Sequence, residues 1–177
     1  MTFRIIAPQT CGADCPIEIR AEGAIGPTSA DDFRAFMKNM GASQAIVSLA
    51  SPGGSLVGGI QLGLALREAN ATILIKRNTR CISACVYALL GGAVRRAEAG
   101  AQIGIHRFRA EASDAPDDAI PEVLARYARD MLARYAERMG ADPALIDLAA
   151  GVAPDAVRYL SATELRDFRV AAPNHKS

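Results

Sequence analysis

The chain has 177 residues, of which 50% are hydrophobic, and this suits one domain with a sizeable core. A formal net charge of +1 gives no basis for expecting a nucleic acid or an anionic membrane as the main partner. No apolar run reaches the roughly 18 to 20 residues that a membrane-spanning helix requires.

The first half of the chain is predicted to open with an irregular arm over residues 1–16 and to continue with alternating strands and helices. Residues 16–23 alternate apolar and charged side chains, as in a strand with one solvent-exposed face. Apolar residues at helical spacing then predict a helix that ends at Gly41. Residues 44–50 form an apolar run typical of a buried strand, and residues 56–70 predict a second helix.

The second half of the chain continues this alternation. Residues 71–76 and 102–108 predict two further strands, with a buried helix that closes at Gly91 between them. After a small, acidic loop, a long helix is predicted to begin near Ile120 and to end near Met139. This order of elements predicts an α/β domain with a largely parallel sheet, in which an active site gathers at the carboxyl ends of the strands.

The C-terminal part is predicted to contain two short helices. Asp142 and Pro143 mark the beginning of the first. Ser161 and Glu164 have the spacing of a capping box, which predicts the beginning of the second. Residues 17–171 are therefore interpreted as one domain, and residues 172–177 as a frayed tail.

Ser83 is predicted to lie where a strand-end turn becomes the first turn of the buried helix. The first N–H groups of a helix have no partner inside it, and the helix dipole there favours negative charge. A serine at this point can attack a carbonyl carbon while nearby N–H groups hold the oxyanion. The alternative is that Ser83 is only a helix N-cap, a position that serine favours.

Gly53 and Gly54 form a turn between a predicted strand and a predicted helix. Because glycine has no side chain, such a turn lets backbone N–H groups approach a bound group closely. A tight turn without any binding role is the alternative. The glycine patterns of the common phosphate-binding loops are absent, so a phosphate site is not predicted.

His106 is one of two histidines, and the other, His175, lies close to the C-terminus. A lone histidine on a strand is often structural, because the residue has many uses. A serine nucleophile, however, needs a base, and histidine is the usual one. Ser83 and His106 are therefore the candidate reactive pair.

The four cysteines are Cys11, Cys15, Cys81 and Cys85, and they form two pairs with three residues between the members of each. Four cysteines allow three disulfide connectivities, and free buried thiols are the main alternative. A four-cysteine zinc site is a third interpretation, although structural zinc sites more often use other spacings. A disulfide would favour an oxidising compartment.

Four short motifs occur in the order found in the proteolytic subunit of Clp protease. They are Ser51-Pro52-Gly53-Gly54-Ser55, Cys81-Ile82-Ser83-Ala84-Cys85, Gly104-Ile105-His106 and Tyr159-Leu160-Ser161-Ala162-Thr163-Glu164-Leu165. The chain thus resembles the ClpP/crotonase superfamily over roughly residues 17–171. Within that superfamily it is most similar to the bacterial ClpP-like proteins that are often described as periplasmic.

The resemblance implies a spiral of β-β-α units and a serine peptidase with a Ser-His-Asp triad. In this sequence Ser83 would be the nucleophile and His106 the base, and the N–H groups of Gly54 and Ala84 would form the oxyanion hole. The long helix near residues 120–139 would pack subunits together, which implies a homo-oligomer. The implied substrate is a peptide or unfolded protein, with no cofactor and no metal, and an unfoldase partner is left open.

The sequence departs from the family at two points. Where the family places the triad aspartate there is no acid; Asp155 is the nearest, and Asp147 is more remote. A triad without its aspartate can keep some activity, but the departure also allows a catalytically impaired protein that binds peptides or builds an assembly. The cysteines on both sides of Ser83 are the second departure, and a disulfide there would restrain its turn.

Two other mechanisms lack the residues that they would need. A crotonase-type acyl-CoA enzyme would need acidic residues next to Gly54 and Ser83, and the segments that follow them offer none. A Ser-Lys dyad would need a lysine, and Lys76 is the only one remotely placed.

The N-terminal residues lack the apolar core of a signal peptide. The protein is therefore expected to be cytoplasmic or to have lost an export segment. The family resemblance and the cysteine pairs favour the periplasm.

Overall fold

The computed structural model describes residues 1–7, 16–108 and 122–174. Its strands are β1 Thr2–Ala7, β2 Ile17–Glu22, β3 Ala45–Ala50, β4 Thr72–Ile75, β5 Arg80–Ile82, β6 Val94–Ala97, β7 Gln102–Ile105, β8 Arg158–Tyr159 and β9 Ala172–Pro173. Its helices are α1 Ser29–Asn39, α2 Leu56–Glu68, α3 Ala84–Leu90, α4 Glu122–Arg138, α5 Ala144–Ala150 and α6 Ala162–Asp167. The predicted alternation of strands and helices is confirmed.

Two sheets form the framework. The larger has the order β1-β2-β3-β4-β6-β9, and its strands are parallel except for β1, which is antiparallel to β2. The smaller has the order β5-β7-β8, with β5 parallel to β7 and β7 antiparallel to β8. The central strands of the larger sheet carry fully buried residues such as Ile19, Val47 and Ile73. Burial on both faces is the physical reason that these strands read as apolar runs in the sequence.

Both chain ends differ from the prediction. The arm over residues 1–16 was predicted to be irregular, but Thr2–Ala7 is a strand at the edge of the larger sheet. Phe3 explains its position, because its ring lies 5.5 Å from that of Phe33 and buries apolar surface there. The frayed tail was predicted to begin at residue 172, but Ala172–Pro173 pairs with β6. Residues 8–15 and 175–177 lie outside the described part.

Helices α2 and α3 approach each other unusually closely. A Cβ atom on Gly59 would lie 2.4 Å from the carbonyl oxygen of Ala84, and one on Gly91 would lie 2.0 Å from that of Gly63. Only glycine permits backbones this near each other. Every residue of α3 is buried. Helix α3, which follows Ser83 directly, is therefore fixed by tight packing along its length.

The predicted long helix is present as α4, Glu122–Arg138, whereas the acidic loop before it lies outside the described residues. Its C-terminal half packs into the core through Leu132, Tyr135 and Ala136. Its N-terminal half exposes an apolar stripe of Val123, Leu124, Tyr127 and Met131. Over the described ranges, no helix combines the length and apolar character needed to cross a membrane.

Candidate active site

Ser83 lies at the carboxyl end of β5, on the turn that leads into α3. Its N–H group donates to the carbonyl oxygen of Gly104 at 2.9 Å, which extends the pairing of β5 with β7 by one residue. Its own carbonyl oxygen accepts from the N–H group of Val86 at 2.9 Å. Although Ser83 occupies the N-cap position of α3, its side chain makes no capping hydrogen bond. The Ser83 hydroxyl therefore does not cap α3, which was the alternative role that the sequence allowed.

The backbone of Ser83 adopts a conformation that L-residues rarely take, with φ of 59° and ψ of −124°. Such a conformation costs on the order of 1 to 3 kcal/mol and persists only when the surrounding structure enforces it. Strained strand-to-helix turns of this kind present a serine hydroxyl above the end of a sheet. The conformation therefore favours a chemical role for the hydroxyl over a purely structural one.

The Gly53–Gly54 turn packs directly against Ser83. A Cβ atom on Gly53 would lie 2.8 Å from the Cβ atom of Ser83, and one on Gly54 would lie 2.2 Å from the carbonyl oxygen of Ile25. Both glycines also have positive φ, 105° and 136°. Ser51, which is buried, accepts from the Gly53 N–H group at 3.1 Å and so shapes the turn. The sequence did not predict this role of Ser51, because the motif does not indicate which groups Ser51 contacts.

The N–H groups predicted to form the oxyanion hole have no hydrogen-bond acceptor among the described residues. This holds for both Gly54 and Ala84. A Cβ atom on Gly53 would lie 3.4 Å from the nitrogen of Ala84, so the glycine turn and the first residue of α3 are in contact beside Ser83. Unpartnered N–H groups next to a serine can stabilise negative charge that develops on a substrate oxygen.

His106 directly follows β7, the strand next to β5, so it emerges from the same edge of the smaller sheet as Ser83. Its Nδ1 atom lies 2.8 Å from the carbonyl oxygen of Arg107. Because a carbonyl oxygen can only accept, this contact requires the hydrogen to be on Nδ1. In the neutral ring, Nε2 is then left as the acceptor, which is the form that a general base needs.

Ser83 and His106 line one cavity. The rest of its wall is almost entirely apolar and comes from α3, β7 and α5: Val86, Tyr87, Ile105, Leu145, Ile146 and Ala149. Burial raises the pKa of Tyr87 to about 12, so this tyrosine remains a neutral phenol at physiological pH. The cavity thus combines a hydroxyl and an imidazole with an apolar surface. The contribution of α5 was not foreseen from the sequence.

Neither aspartate proposed as the third triad member reaches His106. Asp147, on α5, forms an ion pair with Arg129 of α4 at 2.6 Å. Asp155 is exposed on the turn after α5. No carboxylate of the described residues makes a hydrogen bond to the His106 ring, whose Nδ1 partner is the Arg107 carbonyl. A backbone carbonyl has no sequence signature, so the sequence could not have predicted this partner.

Cys81 and Cys85 form a disulfide, with their Cα atoms 5.1 Å apart. Both are fully buried, and the bond spans the turn that contains Ser83. This decides between the alternatives for the second cysteine pair, since two oxidised sulfurs can be neither free thiols nor zinc ligands. Cys11 and Cys15 lie outside the described residues. Within those residues, no group of three or more histidine, cysteine or acidic side chains is arranged to hold a metal ion.

No model of a known protein family matches the sequence, and no curated protein matches it significantly. Solved structures do. A serine-to-alanine variant of 1510-N, a membrane-bound stomatin-specific protease, superposes with a TM-score of 0.63 at 16% identity, over 90% of this chain and 78% of that one. A lysine-to-alanine variant in complex with a substrate peptide gives the same score and identity, over 90% and 74%.

The fold is that of the ClpP-like proteases. The predicted ClpP/crotonase-like α/β fold is thereby confirmed. At 16% identity the likeness extends to the fold and does not assign the chain to one family within it. The finer resemblance, to the Clp proteolytic subunit and to the bacterial ClpP-like proteins, stays a prediction from the sequence.

Proposed function

We propose that the protein is a serine hydrolase that cleaves peptide bonds, with Ser83 as the nucleophile and His106 as the base. The observation that carries this proposal is that one cavity holds both residues, with Ser83 on a positive-φ turn and its hydroxyl uncapped. The likeness to solved proteases, one of them in complex with a substrate peptide, supports a peptide as the substrate.

In the proposed first step, the Ser83 hydroxyl oxygen attacks the carbonyl carbon of the scissile bond while His106 Nε2 takes the proton. The N–H groups of Gly54 and Ala84 stabilise the oxyanion of the tetrahedral intermediate. His106 then gives the proton to the leaving amine, which yields an acyl-enzyme. In the second half, Nε2 activates a water molecule that hydrolyses the ester and releases Ser83.

The carbonyl oxygen of Arg107 takes over the orienting role that an aspartate has in a triad. It holds the Nδ1–H group at 2.8 Å and so fixes the ring and its tautomer. A neutral carbonyl stabilises the imidazolium that forms during attack less than a carboxylate does. We therefore expect a slower enzyme than one with a complete triad. The same observation favours the second candidate function, a catalytically impaired protein that binds peptides or builds an assembly.

The cavity wall indicates the side chain that the substrate presents next to the scissile bond. Leu145, Ile146 and Ala149 of α5 and Val86 of α3 line it, and among the described residues its lining contains no acidic, lysine or arginine side chain. A charged side chain would lose its hydration there without gaining a partner, whereas an apolar one would gain free energy on burial. The proposed substrate therefore presents an apolar rather than a charged group to this small cavity.

The Ser-Lys alternative gains no support from the positions of the described lysines. Lys76 is exposed after β4, and Lys38 lies on α1; neither lines the cavity. The lysine-to-alanine variant among the similar structures belongs to a protein only 16% identical to this chain. His106 is thus the base that the geometry favours.

We also propose that the protein forms a homo-oligomer and works in an oxidising compartment. The exposed apolar stripe on α4, Val123, Leu124, Tyr127 and Met131, supports a homo-oligomer, because a soluble protein gains free energy by covering such a surface. The Cys81–Cys85 disulfide supports an oxidising compartment such as the periplasm, where disulfides persist. No cofactor enters the proposed mechanism.

Fluorophosphonate labelling tests the proposed function, because such probes react with an activated serine. We expect the wild-type protein to be labelled and Ser83→Ala to lose the label. Ser43→Ala, which changes an exposed serine away from the cavity, is the control and should be labelled like wild type. Absence of Ser83-dependent labelling in a folded, assembled sample would contradict the hydrolase proposal and favour the binding or assembly function.

A further inference from the structure

The turn that carries Ser83 is closed by a covalent bond. Cys81 is the middle residue of β5 and Cys85 is the second residue of α3, so their disulfide links the two elements between which Ser83 lies. We propose that this disulfide is a positioning element for the nucleophile: it holds Ser83 in its positive-φ conformation, and its reduction slows the reaction at Ser83. The inference rests on the proposed function and adds a regulation of the same site.

The two sides of the turn are held by different means. On the strand side, main-chain hydrogen bonds hold it, from Ser83 N–H to Gly104 O at 2.9 Å and from Ile82 N–H to Ser51 O at 3.1 Å. On the helix side, α3 is held by its packing against α2, and Ser83 gives it no side-chain cap. Besides the main chain through Ser83, the disulfide is a second covalent link between the two sides. Without it, only packing and main-chain hydrogen bonds oppose the relaxation of this strained conformation, and we expect Ser83 to leave it for part of the time.

Such a relaxation would move the reactive oxygen. Because Cβ turns about the N–Cα bond when φ changes, a change in φ carries the Ser83 hydroxyl away from the Gly53 turn even if its N–H group stays bonded to Gly104. Displacements of about 1 Å cost a reaction roughly 100-fold when reacting groups must be aligned. The part of the cavity wall that α5 and β7 supply lies on elements that contain neither cysteine. Reduction should therefore lower kcat and leave KM nearly unchanged.

A dithiol reductant would open the bond in two exchanges. Its first thiolate attacks one cysteine sulfur, which forms a mixed disulfide and releases the other cysteine as a thiolate. Its second thiol then closes a cyclic disulfide and releases the second cysteine. The protein disulfide gains two electrons and two protons, and the dithiol loses them. Because Cys81 and Cys85 are fully buried, the attack has to wait for an opening of the turn.

The test measures the rate of Ser83 labelling by a fluorophosphonate, together with kcat and KM on a peptide substrate. We expect dithiothreitol to slow labelling and kcat about 10- to 100-fold, and reoxidation with oxidised glutathione to restore both. Cys81→Ala with Cys85→Ala should show the low rate without any response to dithiothreitol. Cys11→Ala with Cys15→Ala is the matched control, and it should keep the wild-type rate and response.

Each outcome of this experiment supports or overturns the positioning role of the disulfide. If reduced wild type and the Cys81/Cys85 variant react at the oxidised wild-type rate, the positioning role is overturned and the hydrolase proposal stands. If oxidised wild type is never labelled at Ser83, the proposed function fails and this inference fails with it. Far-UV circular dichroism accompanies every arm. A loss of helical signal that parallels the loss of labelling, in reduced wild type or in the variant, would overturn a specific effect on Ser83.

Discussion

At the scale of single residues, the candidate reactive pair is held by main-chain groups. Ser83 donates its N–H to Gly104 O, and His106 Nδ1 meets Arg107 O at 2.8 Å. The N–H group of Arg107 donates in turn to Val152 O at 3.0 Å, which ties this segment to the turn after α5. These contacts set geometry well but supply no full negative charge to the imidazole.

A carboxylate added beside His106 should therefore raise the activity. The β7–β8 register pairs Gly104 with Tyr159 and Ile105 with Arg158, so one further step places Val157 opposite His106. Val157 is partly exposed and can accept a polar side chain. We expect Val157→Asp to increase kcat about 10-fold or more, because the charge stabilises the imidazolium.

The control for this substitution is Val157→Asn, which has nearly the same shape as the aspartate without its charge. Peptide hydrolysis and the fluorophosphonate labelling rate are compared for the three proteins. Equal rates for the Asp and Asn variants would contradict the argument that missing charge limits the base.

At the scale of elements, the position of Ser83 depends on how α3 sits against α2. Gly91 ends α3 with φ of −65°, a conformation open to any residue, yet a Cβ atom there would lie 2.0 Å from Gly63 O. The requirement for glycine at this position is therefore a matter of packing and not of backbone conformation. Tyr135 of α4 lies at the same junction: its hydroxyl donates to Tyr87 O at 2.8 Å and lies 2.0 Å from where a Cβ atom on Gly63 would be. Every residue of α3 is buried, so a shift of this helix would disturb its neighbours.

Gly91→Ala should destabilise the protein by about 1 to 3 kcal/mol, since α2 and α3 would have to move apart. The free energy of unfolding is measured by urea denaturation, with the labelling rate of Ser83 as a second readout. Gly151→Ala is the matched control: this glycine ends α5 with φ of −78°, and its nearest neighbouring atom would be 3.5 Å from the added Cβ. The control should change stability by less than about 1 kcal/mol. Equal destabilisation by both would contradict the packing argument.

At the scale of the whole molecule, the two sheets bring distant segments of the chain to one place. β5 and β7 end side by side, β3 leads into the glycine turn, and α5 closes the cavity from a much later part of the sequence. The apolar stripe on α4 faces away from the core. A surface of this kind is what a second copy of the chain would cover in the proposed homo-oligomer.

Charge placed in that stripe should weaken the assembly. We expect Leu124→Glu combined with Tyr127→Glu to shift the protein to smaller species in size-exclusion chromatography with light scattering. Glu137→Lys, on the exposed surface of the C-terminal half of α4, is the control and should leave the mass unchanged. A wild-type protein that is monomeric at micromolar concentration would contradict the proposed oligomer.

The sequence by itself determined the α/β class, the short helix after Pro143 and the Ser161–Glu164 capping box, which is present in α6. It also selected Ser83 and His106 as candidates. These features are local, because hydrophobic periodicity, caps and turn residues act over a few positions along the chain.

Only the tertiary structure decided the pairing of Cys81 with Cys85, the Arg107 carbonyl as the partner of His106, and the α5 wall of the cavity. It also showed that Thr2–Ala7, predicted as an irregular arm, is a strand. An edge strand forms only when its neighbour offers hydrogen bonds and apolar surface. The physical reason is common to all of them. Main-chain contacts and packing between distant segments depend on how the sheets close, and no short stretch of side chains encodes that.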